Sequence, residues 1–544
     1  MPGAAAGLAP AADPGAVPAA APAPAGLRLT PDPGTRFVAA GLVLVGGSPV
    51  RVLRLTPAGA RQVKGWFAGA PLPAGEGSRA LARRLLDAGI AHPEFKAQPS
   101  SRTDPADSGA ADGSLDRPAV TVVIPVRDRH AELDRCLSGL RAAPAAAPSP
   151  ATPTQAHLPP VIVVDDASAD SAAIAGIAAK YGARVIRRPV NGGPGAARNT
   201  GLAAASTELV AFLDSDCVPA PGWLDRLLPH FADPAVGAVA PRIVPHEAGA
   251  SWLARYEGAS STLDMGARPS IVRPGARVSY VPGAALVVRR AAAGAGFADG
   301  MVVGEDVDFI WRLAAAGWRV RYEPSATMGH DHRVRFRAWF SRRADYGTSA
   351  AALEQRHPGA VRPLYASWWT VGAWAAALSG RPLAATGLTA AATVLLARRL
   401  SSVTGETWPL PALAPGSGPA PVPASVPTPA PRAEAWRLAA RLAGGGTLTA
   451  GLPIGSALSR TWWPLALPAA IAFPKLRRPV AALTLLPPLL DWAGRRPPLD
   501  LARYVAARLL DDAAYSLGVW HGCIKRRTVA PLLPVIGAKR PPNG

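Results

Sequence analysis

The stretch that decides the fold lies within residues 119–216: AVTVVIPVRDR (119–129), PVIVVDDASAD (160–170), NGGPGAARNTG (191–201) and ELVAFLDSD (208–216). Three of these segments begin with a run of β-branched and other apolar residues and end in polar ones, which is typical of buried parallel strands. Amphipathic helical patterns and one further short strand separate them. This β-α-β-α-β-α-β order predicts an α/β sheet built by right-handed crossovers, with a ligand site outside the carboxyl ends of the strands.

Changes in composition divide the remainder of the 544-residue chain. We predict a disordered tail (1–30), a small winged-helix-like domain (31–97), a linker (98–118), the α/β domain (119–345) and a mainly helical region (346–535). The tail consists largely of Ala, Pro and Gly, and such a segment buries too little apolar surface to offset its ordering entropy.

The small N-terminal domain is predicted from hydrophobic patterning. Strands are expected over 37–45 and 50–55 with a Gly46-Gly47-Ser48 turn between them, followed by helices over 57–69 and 77–95. In the second helix Leu81, Leu85 and Leu86 fall on one face, and Gly89 is placed to terminate it.

The C-terminal region contains long uncharged segments. PLYASWWTVGAWAAALSG (363–380) has 18 uncharged residues between Arg362 and Arg381, which is at the length threshold for a membrane-spanning helix. The alternative is a buried helical domain, since Ala, Gly and Pro make these segments only weakly hydrophobic.

The overall composition restricts the function classes. Lys and Arg outnumber Asp and Glu by 58 to 37, a net charge of +21, yet no nucleic-acid-binding motif is present. A basic surface suits a phosphate-bearing substrate or an anionic membrane face. The three distant cysteines indicate a reducing compartment, and the Pro-interrupted N-terminus does not form a secretory signal. We expect a cytoplasmic protein, either free or in contact with the inner face of the cell membrane.

Asp214-Ser215-Asp216 follows the strand at 208–213 directly. Two carboxylates one residue apart at a strand end can face one divalent cation, and Mg²⁺ or Mn²⁺ takes such oxygen ligands together with those of a nucleotide diphosphate. Many Asp-X-Asp triplets are instead solvated turns, so the triplet gains meaning only from the other strand ends.

Two further polar segments are expected at the same sheet edge. The Asp166 carboxylate could accept hydrogen bonds from a base or ribose, or else Asp166 or Ser168 could cap the next helix. The stretch from Asn191 to Asn199 opens a helix with glycines that allow close approach to an anionic ligand, so Gly193 and Arg198 are candidate nucleotide-sugar-binding residues.

These segments, together with GEDVDFIWRL (304–313), resemble family 2 glycosyltransferases of the GT-A fold over about residues 119–345. The resemblance implies a fold, a reaction and a set of site residues. It implies nucleotide binding by Pro125, Val126, Arg127 and Asp166, metal binding by Asp214 and Asp216 against the diphosphate, and general-base catalysis by Asp306. Asp214 and Ser215 are also predicted to bind the nucleotide sugar.

The chemistry expected of such a site is consistent with those roles. Displacing a nucleoside diphosphate needs its charge neutralised and a base to take the proton of the acceptor hydroxyl. A single base, with no second residue that bonds covalently to the sugar, gives a single displacement and therefore inversion at the anomeric carbon. Glu305 could share this role or bind the acceptor, although an acid-rich helix N-terminus also favours the helix dipole. His330 or His332 could complete the metal shell.

Flanking segments suggest a narrower resemblance. PVRVLRLTPAG (49–59), LARRLLDAGIAHPEF (81–95) and GHDHR (329–333) resemble a subgroup that glycosylates a peptide-derived redox cofactor, and the N-terminal unit resembles small peptide-binding domains of pyrroloquinoline-quinone biosynthesis. The resemblance implies that the donor is a UDP-sugar, namely UDP-glucose. It also implies a small-molecule or peptide-derived acceptor, on which a short β-linked oligoglucoside is built. The alternative is a membrane-associated transferase acting on a lipid-linked or cell-wall glycan.

Overall fold

The computed structural model describes residues 21–38, 41–95, 118–142, 159–247, 249–403 and 432–537. In these ranges the strands are β1 (Arg28–Pro31), β2 (Arg36–Val38), β3 (Val43–Gly46), β4 (Arg51–Arg54), β5 (Ala91–Glu94), β6 (Val120–Val126), β7 (Val161–Asp166), β8 (Arg184–Arg188), β9 (Leu209–Leu213), β10 (Cys217–Pro219), β11 (Val236–Pro245), β12 (Ser270–Val272), β13 (Ala285–Arg289), β14 (Arg319–His330), β15 (Tyr365–Ala366) and β16 (Val535–Ile536). The α-helices are α1 (Pro57–Phe67), α2 (Glu76–Asp87), α3 (His130–Ala142), α4 (Ser171–Lys180), α5 (Gly193–Ala204), α6 (Trp223–Leu227), α7 (Trp252–Ser260), α8 (Glu305–Ala315), α9 (Phe336–Arg356), α10 (Trp368–Leu378), α11 (Pro382–Val403), α12 (Arg432–Ala439), α13 (Gly446–Thr449), α14 (Gly451–Arg460), α15 (Trp463–Ala472), α16 (Pro474–Arg495) and α17 (Leu501–Lys525).

The central sheet has the strand order β10-β14-β11-β13-β9-β6-β7-β8, with β12 paired to β14. Strands β6, β7, β8 and β9 pair in parallel, as the sequence predicts. The other half is mixed, because β13 is antiparallel to both β9 and β11, whereas β11 and β14 are parallel. The result is the expected α/β GT-A architecture, in which the carboxyl ends of β6, β7 and β9 share one edge.

Alternate residues of β6 enter the hydrophobic core on opposite faces of the sheet. Val122 and Ile124 pack with Leu133 of α3 and Ile174 of α4, whereas Val123 belongs to the core on the other face, beneath α5 and α8. This period-2 alternation with both faces covered explains why the strand is apolar throughout. The covered faces leave the strand ends as the place where polar groups collect.

The N-terminal unit begins earlier than the predicted tail allows. Ala23 and Leu29 are buried, and β1 pairs with β5, so the boundary at residue 30 is wrong. Residues 1–20 of the predicted tail and 98–117 of the predicted linker lie outside the described residues. Both predicted helices form and Gly89 has a positive φ, but α2 ends at Asp87, and the end of the span predicted as helix forms strand β5 instead.

The predicted strand over 37–45 is two strands of a hairpin. Strands β2, β3 and β4 form an antiparallel sheet, and the chain reverses between Val38 and Val43. Gly41 has a φ of +91° in this reversal. Glycine adopts a positive φ more readily than other residues, so Gly41 suits this reversal. The apolar residues on either side of it led to the prediction of one continuous strand.

Buried charges attach the N-terminal unit to the α/β domain. Both terminal nitrogens of Arg83 donate to the Asp233 carboxylate, at 2.8 and 2.7 Å, and neither side chain is more than a tenth exposed. Arg319 makes a similar two-point contact with Asp87 at 3.1 and 2.9 Å. A two-point Arg–carboxylate pair fixes orientation as well as distance, so the unit is docked in one arrangement.

Helix α9 connects the α/β domain to the C-terminal helices. It packs along α17, and Gly347 and Gly518 face each other so closely that a Cβ on either would overlap the backbone of the partner helix. The predicted domain boundary at residue 345 therefore falls inside a continuous helix. The two regions share a helix pair, so the chain does not divide there.

No helix in the described ranges combines the length with the apolar character needed to cross a membrane. The uncharged run over 363–380 forms the short strand β15 and then α10, which has 11 residues and ends before Gly380, where φ is +74°. A helix of this length spans about 16 Å, about half of a bilayer core. The interpretation of this run as a spanning helix is wrong.

Candidate active site

Three parallel strands bring their polar ends to one edge of the sheet. Strand β6 lies between β7 and β9, so Asp166 at the end of β7 and Asp214 just after β9 flank the end of β6. Asp214 is held in place by its backbone N–H, which donates to the carbonyl of Ala284 at 2.8 Å. The edge predicted from the sequence is therefore where these two aspartates lie.

Arg198 joins the two acidic motifs. Its Nη2 donates to Oδ1 of Asp214 at 2.6 Å, and its Nη1 donates to Oε1 of Glu305 at 2.9 Å. The residue is 2 % exposed, and its guanidinium also lies over the ring of Phe297. Nucleotide-sugar binding by Arg198 remains a prediction, whereas its contacts place Asp214 and the start of α8 on opposite sides of one cation.

The carboxylate of Asp306 is oriented by two backbone N–H groups. Gly283 donates to its Oδ2 and Val307 donates to its Oδ1, both at 2.8 Å. A Cβ on Gly283 would lie 3.0 Å from Cβ of Asp306 and 3.2 Å from Cζ of Arg198, so the close approach depends on a glycine there. Asp306 is half-buried and is more accessible than Glu305, which is buried.

The Glu305 carboxyl is unusually basic. Burial, followed by the charge of Asp306, raises its pKa from 4.5 to about 7, against the opposing effect of Arg198. Because its pKa is raised on folding, this group stabilises the fold fully below about pH 4.5, and that contribution is lost as the pH rises through about 7. Glu305 is thus partly protonated at neutral pH.

We expect Glu305→Gln to remove that pH dependence. The melting temperature of the wild type should fall relative to that of the variant by about 3 °C or more between pH 5 and pH 8, because the amide cannot ionise. Thermal unfolding across this range measures the difference. The exposed Glu94→Gln should track the wild type, and a parallel fall in the Glu305→Gln variant would contradict the raised pKa.

Asp216 lies beside His330 and Arg129. Strand β10 pairs with β14 so that Cys217 is opposite His330, and Nε2 of His330 is 3.6 Å from Oδ1 of Asp216. Arg129 donates to the other carboxylate oxygen. In the described part of the chain, Asp216, Cys217 and His330 offer ligand atoms within 4.8 Å of one another.

These side chains fit a hard divalent cation. Carboxylate oxygens with one imidazole nitrogen suit Mn²⁺ or Mg²⁺, and the Nδ1 atom of His330 is buried without a hydrogen-bond partner. Burial raises the pKa of the Cys217 thiol far above its usual value, which disfavours the thiolate that a soft metal needs. His332 lies 3.8 Å from Glu257 instead, so of the two histidines it is His330 that is beside Asp216.

Asp166 holds the glycine-rich loop. Its oxygens accept hydrogen bonds from Nε of Arg188 at 2.8 Å and from the N–H groups of Gly192 and Gly193 at 3.0 and 2.8 Å. The cap of α4 is Asp170, so the alternative in which Asp166 or Ser168 caps that helix is wrong. Asp166 shapes the loop in which a ligand would meet Gly193.

The remaining predicted nucleotide-binding residues lie at the same edge but differ in exposure. Pro125 and Val126 end β6 with buried side chains, and Ser215 is also buried. The Arg127 side chain is about half exposed. A ligand at this edge would thus meet Arg127 directly and would meet the buried residues through their backbone.

Sequence reasoning passed over Arg129, although it stands in the RDR segment directly after β6. Arg129 forms an ion pair with Asp216, and burial together with the nearby charges of Arg342 and Arg129 lowers the pKa of Arg333. The guanidinium groups of Arg129 and Arg333 therefore both act on Asp216, the first through a direct ion pair. Such a concentration of positive charge favours an anionic ligand.

Family models match the chain as Glycosyl transferase family 2 over residues 121–293 and as Glycosyl transferase family group 2 over residues 209–418. The Pre-mycofactocin glycosyltransferase of Mycobacterium tuberculosis (strain ATCC 25618 / H37Rv) is 39 % identical over 532 residues, covering 94 % of this chain and 98 % of that protein. The O-antigen chain rhamnosyltransferase WbaN of Salmonella anatum is 28 % identical over 196 residues, covering 34 % and 61 %.

Among solved structures, the Pyrobaculum calidifontis mannosyltransferase PcManGT in complex with GDP-Man and Mn²⁺ is 22 % identical and covers 51 % of this chain and 76 % of that chain, with a TM-score of 0.34. The narrower resemblance seen in the flanking segments is to the mycofactocin-system transferases, and the match along nearly the whole chain confirms it. The chain therefore belongs to glycosyltransferase family 2, shares that family with the pre-mycofactocin glycosyltransferases, and is a glycosyltransferase.

Proposed function

We propose that this enzyme transfers glucose from UDP-glucose, with inversion, to a small peptide-derived acceptor in mycofactocin maturation, and repeats the transfer to build a short β-linked oligoglucoside. Support for the acceptor comes from the relative that is 39 % identical over 94 % of the chain and is named a pre-mycofactocin glycosyltransferase. The single observation that supports the chemistry best is the Arg198 bridge between Asp214 and Glu305. It brings the strand-end aspartates and the acidic start of α8 to one site.

In this proposal Asp306 is the general base. Its carboxylate, fixed by Gly283 and Val307, takes the proton of the acceptor hydroxyl as that oxygen bonds to the anomeric carbon. The bond from the anomeric carbon to the diphosphate breaks in the same displacement, and UDP leaves with the electron pair. A single carboxylate on the acceptor side and no covalent partner gives inversion.

A divalent cation, Mg²⁺ or Mn²⁺, would be held by Asp214, Asp216 and His330 and would supply charge neutralisation for the diphosphate. The residues of this chain act beside it. Arg129 and Arg333 add positive charge near Asp216, and positive charge placed where a leaving group develops negative charge lowers the barrier to its departure.

The nucleotide would occupy the edge formed by the ends of β6 and β7. The backbone at Pro125 and Val126, the Arg127 side chain and the loop that Asp166 holds at Gly193 line this edge, and Ser215 lies between the two proposed metal-binding aspartates. Backbone N–H groups at the start of α5 favour an anionic group.

For the N-terminal unit we propose that it positions a peptide-derived acceptor. The resemblance to peptide-binding domains supports this, and so do the two-point Arg83–Asp233 and Arg319–Asp87 contacts that dock the unit against the α/β domain. An acceptor bound to a rigidly docked unit would be held at a fixed distance from the active site.

Mass spectrometry of a mycofactocin precursor incubated with the enzyme and a panel of nucleotide sugars tests the proposed function. We expect mass increases of one or more hexoses with UDP-glucose. A higher yield of glycosylated acceptor with another nucleotide sugar would reject the assignment of UDP-glucose as the donor. No transfer to this acceptor from any donor would reject the acceptor assignment.

Removing the cation is expected to stop transfer. Chelation with EDTA should abolish hexose addition, and Mn²⁺ or Mg²⁺ should restore it, because the diphosphate is then neutralised as it leaves. Asp216→Asn should raise the metal concentration needed for half-maximal activity by about tenfold or more. The exposed Asp299→Asn is the matched control, and full turnover in chelator would remove the cation from the proposal.

A further inference from the structure

Large apolar side chains are unevenly exposed along this chain. Of the 32 exposed large hydrophobic side chains in the described part of the molecule, 19 lie between residues 365 and 490. Tyr365 lies on β15, Phe473 lies between α15 and α16, and the others lie on the helical segments that follow α9. Exposed apolar surface concentrated in one region marks an interaction site.

The same region is almost devoid of acidic residues. Between residues 357 and 490 the sequence contains eleven Lys and Arg residues but only two Glu, namely Glu406 and Glu434. Arg362 and Arg460 pair with Glu354 and Asp512, which lie outside this range. The range itself therefore adds positive charge beside the exposed apolar side chains. A partner that fits must offer both apolar material and negative charge.

The two features coincide at one turn, which we call the basic tip, residues 471–478 (IAFPKLRR). All eight residues are exposed, and the exposed fractions of Ile471, Phe473 and Leu476 are 65 %, 62 % and 40 %. Phe473 lies between α15 and α16 and is the cap residue of both helices. Lys475, Arg477 and Arg478 follow at once.

The turn is well defined. Nε and Nη2 of Arg477 donate to the carbonyls of Ala470 and Ile471, each at 3.2 Å, and so bind the last turn of α15. Leu483 of α16 is buried nearby along the helix. The apolar side chains of the tip are therefore presented on an ordered scaffold.

We propose that the basic tip docks onto the surface of an anionic lipid bilayer, with Ile471, Phe473 and Leu476 entering the headgroup boundary and the three cations contacting lipid phosphates. Apolar side chains beside Lys and Arg are the composition that binds such an interface. A second copy of the chain fits less well, because its tip would bring the same positive charges together. This inference is independent of the acceptor and donor assignments.

Co-sedimentation of the full-length enzyme with vesicles tests the proposal. We expect binding to an equimolar mixture of phosphatidylcholine and phosphatidylglycerol, loss of that binding at high salt, and little binding to phosphatidylcholine alone. Lys475→Glu/Arg477→Glu/Arg478→Glu should weaken partitioning at least about tenfold. Ile471→Ser/Phe473→Ser/Leu476→Ser should weaken it comparably, because the apolar contribution is removed.

Matched controls separate the tip from general charge and hydrophobicity. Arg184→Glu/Arg255→Glu/Arg268→Glu changes the net charge equally at exposed sites elsewhere, and Leu517→Ser/Ile524→Ser removes exposed apolar groups from α17. Both controls should bind as the wild type does. All variants should keep the wild-type circular dichroism and the wild-type turnover of a water-soluble acceptor.

Three results would overturn the proposal. The first is the absence of wild-type binding to either vesicle, and the second is equal weakening by the control charge reversals. The third is self-association in analytical ultracentrifugation that the tip variants abolish, which would assign the surface to a second copy of the chain. None of these results bears on sugar transfer, so the proposed function would stand or fall separately.

Discussion

Replacing Asp306 with Asn is expected to lower the rate of sugar transfer by about a thousandfold while leaving UDP-sugar affinity within about twofold. The amide oxygen can still accept a hydrogen bond from Gly283, as Oδ2 of the carboxylate does at 2.8 Å. The amide cannot take a proton from the acceptor hydroxyl at neutral pH. The Asp306→Asn variant therefore separates UDP-sugar binding from proton removal, because the substitution changes only one oxygen of the carboxylate to an NH2 group.

Single-turnover transfer kinetics together with calorimetric titration of UDP-sugar measure these two quantities. Asp299→Asn removes an exposed carboxylate in the loop that precedes α8 and should behave as the wild type. Because Glu305 has its pKa raised to about 7, it is the residue that could replace Asp306 as base. Turnover of Asp306→Asn near the wild-type rate, lost only in Asp306→Asn/Glu305→Gln, would move the base to Glu305.

The parallel half of the sheet could be predicted because its signals are local. Each of β6, β7 and β9 is an apolar run that ends in a polar residue, and the helices between them have their own periodicity. Strands β10 to β14 gave no such signal, because β12 has three residues and β11 pairs with Val288 of β13 and Arg319 of β14, far along the chain. Pairings of this kind are set by tertiary packing.

The individual site residues could be predicted, but not the contacts between them. Asp214 and Glu305 each stood in a recognisable motif, whereas nothing local links Arg198 to Glu305, 107 residues away. Asp166 was expected to receive hydrogen bonds from a ligand, and in the structure it receives them from the glycine loop. A motif specifies a residue type at a strand end, and the fold decides which neighbour meets it.

The C-terminal prediction failed for a related reason. The mean hydropathy of residues 363–380 includes Ser367, which caps the start of α10, and Gly380, where the chain turns after the helix. Such capping and turn residues carry little weight in a mean hydropathy, yet they set the length of a helix. A shorter helix that exposes apolar side chains follows from the same composition.

Replacing Arg198 with Ala is expected to have the second large effect, on both activity and stability. The substitution leaves Glu305 and Asp214 without the guanidinium that bridges them at 2.9 and 2.6 Å. Removing one partner of a buried ion pair costs about 3–5 kcal/mol of unfolding free energy. Transfer should fall at least about a hundredfold, since the two acidic motifs are no longer held together.

Denaturant unfolding and transfer kinetics of a small variant set separate these two effects. Arg184→Ala removes an exposed arginine from β8 and should leave both quantities unchanged. Adding Glu305→Gln to Arg198→Ala should recover part of the lost stability, because a buried charge disappears, but none of the lost transfer, because the bridge is still missing. If the double variant recovered transfer as well, Arg198 would serve only to neutralise Glu305, and the bridge would have no part in assembling the site.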